Sequence, residues 1–236
     1  DDNILCVIRG TGITNDGARK AGYAAPGVAG QAAAVTAALE AAGVHPSEMG
    51  YVECHATGTL VGDGIELRAL TEAYAAMGSP PGGGSTPHNY CAVGAVKGNI
   101  GHANAAAGVT GLIKAALCLS TKLFVPTAHF DTLNEKVVLE NGPFYVHTGG
   151  TAHWPARADG TPRLAGVSSF GIGGANVHMV LQEPPALPAP KAAHEAEAIA
   201  PCDRAAHVLT LSAKTAASLS RMATELADWF AAALSR

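Results

Sequence analysis

The sequence predicts an α/β fold. Three observations carry this reading. Short apolar runs repeatedly end in polar, glycine-bearing turns that enter long alanine- and leucine-rich stretches, the order of strand, turn and helix. The hydrophobic fraction is 48% against 14% charged residues, enough apolar matter for a packed core and too much for a disordered chain. The 28 glycines and the alanine-rich segments suit helices lying close against a sheet.

Taken in order, residues 3–9 (NILCVIR) read as a strand buried on both faces and ended by Gly10, with turn chemistry from Gly10 to Gly30. Residues 31–42 (QAAAVTAALEAA) read as a buried helix with Gly43 as its C-cap. A second strand covers 49–54, a helix 65–77 and a third strand 90–96. Residues 104–120 can be helical throughout, which places His102 at or just before a helix N-terminus. Residues 123–126 end that helix, 130–141 form an amphipathic surface segment, and 144–147 alternate weakly. Residues 164–170, the turn Gly171–Gly174 and residues 175–182 read as a β-hairpin. Three parts follow from this pass: a domain over 1–183, a Pro/Ala-rich linker over 184–206, and a strand (208–212) plus amphipathic helix (215–234) that open another unit over 207–236.

Composition excludes several classes. A net charge of −4 without a basic run argues against nucleic-acid binding, which needs clustered Lys and Arg to displace counterions. No stretch reaches eighteen uncharged apolar residues and no signal peptide is visible, so no membrane association is expected. Cys6, Cys54, Cys91, Cys118 and Cys202 form no CxxC pair, which fits reduced thiols in a cytoplasmic protein. No short-range ligand pair supports a metal site; a metallo-hydrolase built on His55, Asp63 and His102 is the weaker alternative.

The chemistry concentrates at strand ends, where α/β folds place ligands. His55 follows the second strand in HATGT; Lys97 and His102 flank a glycine-punctuated turn after the third. A helix start favours a neutral imidazole able to donate to a developing oxyanion, and two such donors on one carbonyl oxygen lower the cost of an enolate. The Gly171–Gly174 turn can offer backbone N–H groups to a second oxyanion. The other eight histidines are read as packing or surface groups.

YVECHATGTLVGDGIE, AVKGNIGHANAAAGVTGLIKAAL and VSSFGIGGANVHMVLQEP, in this order and spacing, resemble the second half of a β-ketoacyl synthase domain from a modular type I polyketide synthase. GTGITNDGARKAGYAAPGVAGQ is similar to the segment before them, and LTLSAKTAASLSRMATELADWF to the start of the linker toward an acyltransferase domain. The resemblance implies the C-terminal half of a thiolase-like layered fold, usually a homodimer, acting in decarboxylative Claisen condensation of an acyl thioester with a malonyl-type extender. By the same resemblance, His55 and His102 assist decarboxylation and hold the enolate, and Lys97 tunes the site. Thr57 and Thr59 hold the phosphopantetheine arm of the acyl carrier protein. Ile172 supplies a backbone oxyanion donor between Gly171 and Gly173, beside Phe170 at the pocket wall. No cofactor is expected to bind directly.

Departures from the family pattern bear on mechanism. The family's nucleophile is a cysteine in a serine-rich turn of the first half, a context this sequence lacks. Cys54 adjoins His55, but strand alternation turns it to the opposite face. The chain is therefore expected to be a truncated, cleaved or split half, incomplete without an N-terminal partner that carries the cysteine; a start at Asp1 rather than Met is in keeping with this. Ala56 stands where glycine is more frequent, tolerable if its backbone stays at negative φ. The glutamate that some members carry near Gly111 is absent, which leaves Lys97 without an assigned partner. A decarboxylating, non-extending synthase and a non-catalytic carrier-protein scaffold remain as alternatives.

Overall fold

A six-stranded mixed sheet carries the structure. Its strands are β1 (Val7–Asn15), β2 (Met49–Glu53), β3 (Cys91–Gly94), β5 (Phe144–Val146), β7 (Leu164–Phe170) and β8 (Ala175–Gln182). They lie in the order β1-β8-β7-β2-β3-β5, and β4 (Leu123–Phe124) pairs separately with β6 (Ala152–His153). The computed structural model describes residues 3–185 and 208–234, apart from residues 21, 23, 24, 81 and 86. Two units divide the chain, Asp1–Ala186 and Leu187–Arg236. The sheet lies in the first, and the linker expected over 184–206 falls almost wholly outside the described residues, with Cys202.

Strands β7, β2, β3 and β5 run parallel, while β8 and β1 add antiparallel on one side. The parallel strands are covered on both faces, which explains their unbroken apolar character. On one face α1 (Val28–Ala42) and α2 (Gly62–Ala76) enclose Val35, Leu39, Leu70, Val52, Cys54 and Val93. On the other, α4 (Ala107–Thr121) packs Ala115, Cys118 and Leu119 against Tyr51, Ala165 and Val167. Alternation along β2 divides its side chains between the two cores, Val52 and Cys54 to one and Tyr51 to the other. The outer face of α4 leaves Val109, Ile113 and Leu117 about half exposed at 56%, 55% and 48%, one helical turn apart.

Several expectations are corrected here. The first strand is β1, a partly exposed edge strand running through Gly10 rather than a doubly buried one ending there. The reason is contact with α1: a Cβ on Gly10 would lie 2.5 Å from Ala38 O, and one on Gly12 2.0 Å from Ala34 O. These glycines admit a helix backbone against the strand. Helix α1 begins at Val28, and Gly43 caps it in the left-handed conformation (φ 62°) as expected. The 104–120 segment is a 3₁₀ turn (Asn104–Ala106) followed by α4, with a single helical turn, α3 (Lys97–Ile100), before it. The 130–141 segment has no regular structure, yet Val137 and Leu139 pack on the core. In the second unit α5 (Ala216–Leu234) is a helix as expected, but residues 208–212 form no strand, having no neighbour among the described residues to complete a ladder.

Candidate active site

His55 and His102 come from the carboxyl ends of β2 and β3 and meet edge to face, their ring centroids 5.3 Å apart at 83°. Phe170, the last residue of β7, lies 5.7 Å from the His55 ring. These three, Thr57, Thr59 and Ile172 line one cavity of about 550 Å³. Adjacent parallel strands bring together residues far apart in sequence, as the switch from strand to loop in α/β sheets generally does.

The His55 imidazole is held neutral. Burial lowers its pKa to about 4, and the nearby Lys97 charge and His102 add to the effect. Its Nδ1 is buried without a hydrogen-bond partner among the described residues. On His102, Nδ1 accepts the Asn104 backbone N–H at 3.1 Å, so this nitrogen is unprotonated and the ring's proton is directed to Nε2. His102 does not sit on the α4 terminus: the 3₁₀ turn Asn104–Ala106 stands between them, and Gly101 (φ 78°) turns the chain before the histidine. The local bond from the Asn104 N–H, made in the turn that leads into α4, orients the ring.

A residue that sequence reasoning missed anchors the other limb. Glu66 of α2 is fully buried, and its two carboxylate oxygens accept the backbone N–H groups of His55 (2.7 Å) and Ala56 (2.8 Å). Burial raises its pKa to about 7, opposed by those two bonds. This clamp holds Ala56 at φ 26°, so the condition of negative φ is not met; the two hydrogen bonds to Glu66 hold the backbone in a conformation unfavourable to a side chain. Only the acidic residue within an otherwise apolar helical face could have signalled it.

Of the two threonines, Thr59 accepts the Gly62 N–H at 3.1 Å and shapes the start of α2, while Thr57 lies at the wall shared by the His55 cavity and a second one. That second cavity, about 420 Å³, is where Lys97 is found, with His102 bordering both. Lys97 makes no ion pair among the described residues. Cys54 turns away from His55 as expected: it is buried in the α1/α2 core, and burial pushes its thiol well above the ordinary range, which leaves it protonated and inert.

The Gly171–Gly174 turn is closed by Gly171 N–H donating to Ala175 O (2.7 Å) and Gly174 N–H to Gly171 O (2.9 Å). The N–H groups of Ile172 and Gly173 make no hydrogen bond among the described residues. Gly171 borders the cavity; Gly173 does not. Lys20 Nζ donates to Ile172 O at 2.7 Å, and buried Asp16 accepts Asn176 Nδ2 at 2.8 Å while its own N–H donates to Gly174 O at 2.9 Å. The turn is thus tied from outside to the end of β1. Turn-rich composition concealed that role for Asp16 and Lys20.

Known proteins resemble this chain in sequence and in fold. Residues 5–131 match the β-ketoacyl synthase C-terminal domain and residues 134–234 the ketoacyl-synthetase C-terminal extension. A phenolphthiocerol/phthiocerol polyketide synthase of Mycobacterium tuberculosis is 44% identical over 226 residues, 96% of this chain and 14% of that protein. Polyketide synthase PksN of Bacillus subtilis is 40% identical over 232 residues, 96% of this chain and 4% of that protein. The ketosynthase from module 6 of the bacillaene synthase of Bacillus subtilis superposes with a TM-score of 0.71 at 43% identity, over 78% of this chain and 31% of that one. The chain therefore spans a small part of the length of the relatives it matches.

Proposed function

Because the chain belongs to the β-ketoacyl synthase family, with its thiolase-like fold, we propose that it supplies the decarboxylation and enolate-holding half of a polyketide synthase ketosynthase. The observation that carries this reading is the meeting of His55 and His102 in one cavity from separate strand ends. The extender is a malonyl-type thioester on the phosphopantetheine arm of an acyl carrier protein, the arm running past Thr57 and Thr59. As the carboxylate leaves as carbon dioxide, its bonding electrons enter the thioester as an enolate. The neutral His55 and the Nε2–H of His102 each donate to the enolate oxygen, and Lys97 adds positive potential without itself touching that oxygen. The enolate carbon then attacks the acyl thioester, whose oxygen takes the free Ile172 N–H, and the cysteine thiolate departs.

That cysteine belongs to the N-terminal part of the synthase, which is this chain's first partner; acyl carrier protein and a second copy are the others. The protein requires no bound cofactor and works in the cytoplasm. The test uses the intact polypeptide with malonyl carrier protein. Carbon dioxide release falls by about 10² or more in His55→Ala and in His102→Ala. Release unchanged in both variants removes the two-histidine reading. Decarboxylation without a condensed product when an acyl thioester is present selects the non-extending synthase instead.

A further inference from the structure

Two residues before His55, on the same face of β2, Glu53 is almost fully buried. Its carboxylate joins three elements. Oε1 accepts the Val96 backbone N–H at 2.6 Å, and Oε2 accepts the Tyr51 hydroxyl at 2.5 Å and meets Lys114 Nζ of α4 at 2.9 Å. Val96 caps α3 and directly precedes Lys97. Lys114 is itself largely buried, so the two charges compensate each other away from water.

We propose that the Glu53–Lys114 pair, with Gly111 beneath it, is a positioning unit that locks the Lys97–His102 segment to α4 for the decarboxylation step. The inference rests on the two-histidine reading. Gly111 is part of the device because a Cβ there would lie 3.1 Å from Glu53 Cγ and 3.5 Å from Val167 Cγ1. The side chain missing at position 111 leaves the space that Glu53 fills from the neighbouring strand. The carboxylate reaches the backbone before Lys97 and pairs with Lys114 rather than with the Lys97 ammonium. The Lys97 side chain is thus left outside the ion pair, while its backbone is fixed by a carboxylate whose own charge Lys114 balances. One strand end thus delivers His55 and also grips the root of the segment that delivers His102.

The test separates the two half-reactions in the intact polypeptide: carbon dioxide release from malonyl carrier protein, and acylation of the synthase cysteine followed by mass. Glu53→Gln keeps the shape and removes the charge; it lowers kcat for release by about tenfold or more, as expected for a misplaced donor, with KM and cysteine acylation within about twofold. Gly111→Ala, which presses on Glu53 without removing charge, shifts release in the same direction by about threefold and serves where the first variant fails to fold. A wild-type protein that releases no carbon dioxide overturns the two-histidine reading and this inference with it. Active wild type with unaltered release in both variants, or with release and acylation reduced in equal proportion, overturns this inference alone.

Discussion

At the scale of single residues, the buried histidines carry a measurable pH signature. His178 of β8 is fully buried, with Nδ1 against Ser168 Oγ at 2.9 Å and Nε2 unpartnered among the described residues. Burial lowers its pKa from the ordinary 6.5 to about 4. The folded state therefore binds fewer protons than the unfolded one between those values, so its contribution is fully present above pH 6.5 and is lost as pH falls toward 4. For His178 alone the loss between pH 7 and pH 5 is about 2 kcal/mol. His55 acts in the same direction, by less because it is only half-buried. Buried Glu66, its pKa raised to about 7, opposes them by gaining stability as pH falls. Denaturant unfolding of the intact synthase at the two pH values measures the net of all three, and His178→Leu, which cannot titrate, changes the difference by its own share of about 2 kcal/mol. An identical slope in wild type and variant would show that His178 does not govern it.

At the scale of elements, the sequence was most legible where one physical signal acted alone. Alternation along β2 assigned Cys54 and His55 to opposite faces, and the glycines of the β7–β8 turn marked the hairpin whose register runs from Leu164 opposite Gln182 to Phe170 opposite Asn176. It misled where one residue type serves two ends. Gly10 reads as a strand stop, yet with Gly12 it is the place where β1 touches α1, a contact that depends on a helix many residues away. Residues 208–212 have strand composition but lack a strand to pair with among the described residues. Glu66 was illegible because its partners are backbone N–H groups, which no side-chain pattern records, and Glu53 because it combines such a partner, Val96, with a lysine on a helix far away in sequence. The β1–α1 account is testable. Gly12→Ala forces a Cβ to within 2.0 Å of Ala34 O and should destabilise the fold by about 1–3 kcal/mol. Gly149→Ala, with nothing within 4 Å, is the control. Equal melting temperatures for the two variants would refute close strand–helix approach as the reason for the glycine.

At the scale of the whole molecule, the layers are unevenly covered. The sheet has helices on both faces, but α4 turns Val109, Ile113 and Leu117 outward in one stripe, and Ile100 of α3 is likewise exposed at 59%. An apolar row of this kind on a helix whose inner face is already packed needs a second covering surface. The chain spans only 31% of the ketosynthase structure it superposes on, and under the proposed function the covering surface would come from the part of the synthase that carries the cysteine. The sequence hides this, because apolar residues stand on the inner row, Ala115 and Leu119, as well as on the outer one. Placing a carboxylate in the middle of the stripe separates the two roles of α4, since Ile113 points away from Ala115 and Leu119, which hold the helix to the sheet. We expect this chain, co-expressed with the N-terminal part of the synthase as a separate polypeptide, to copurify with it. Ile113→Asp should weaken that association by about 100-fold or more, the cost of burying an unpaired charge at a former apolar contact, while leaving the circular dichroism of the chain unchanged. Undiminished association of the Ile113→Asp chain would mean that the two parts meet through another face, and that α4 is not the helix the second half covers.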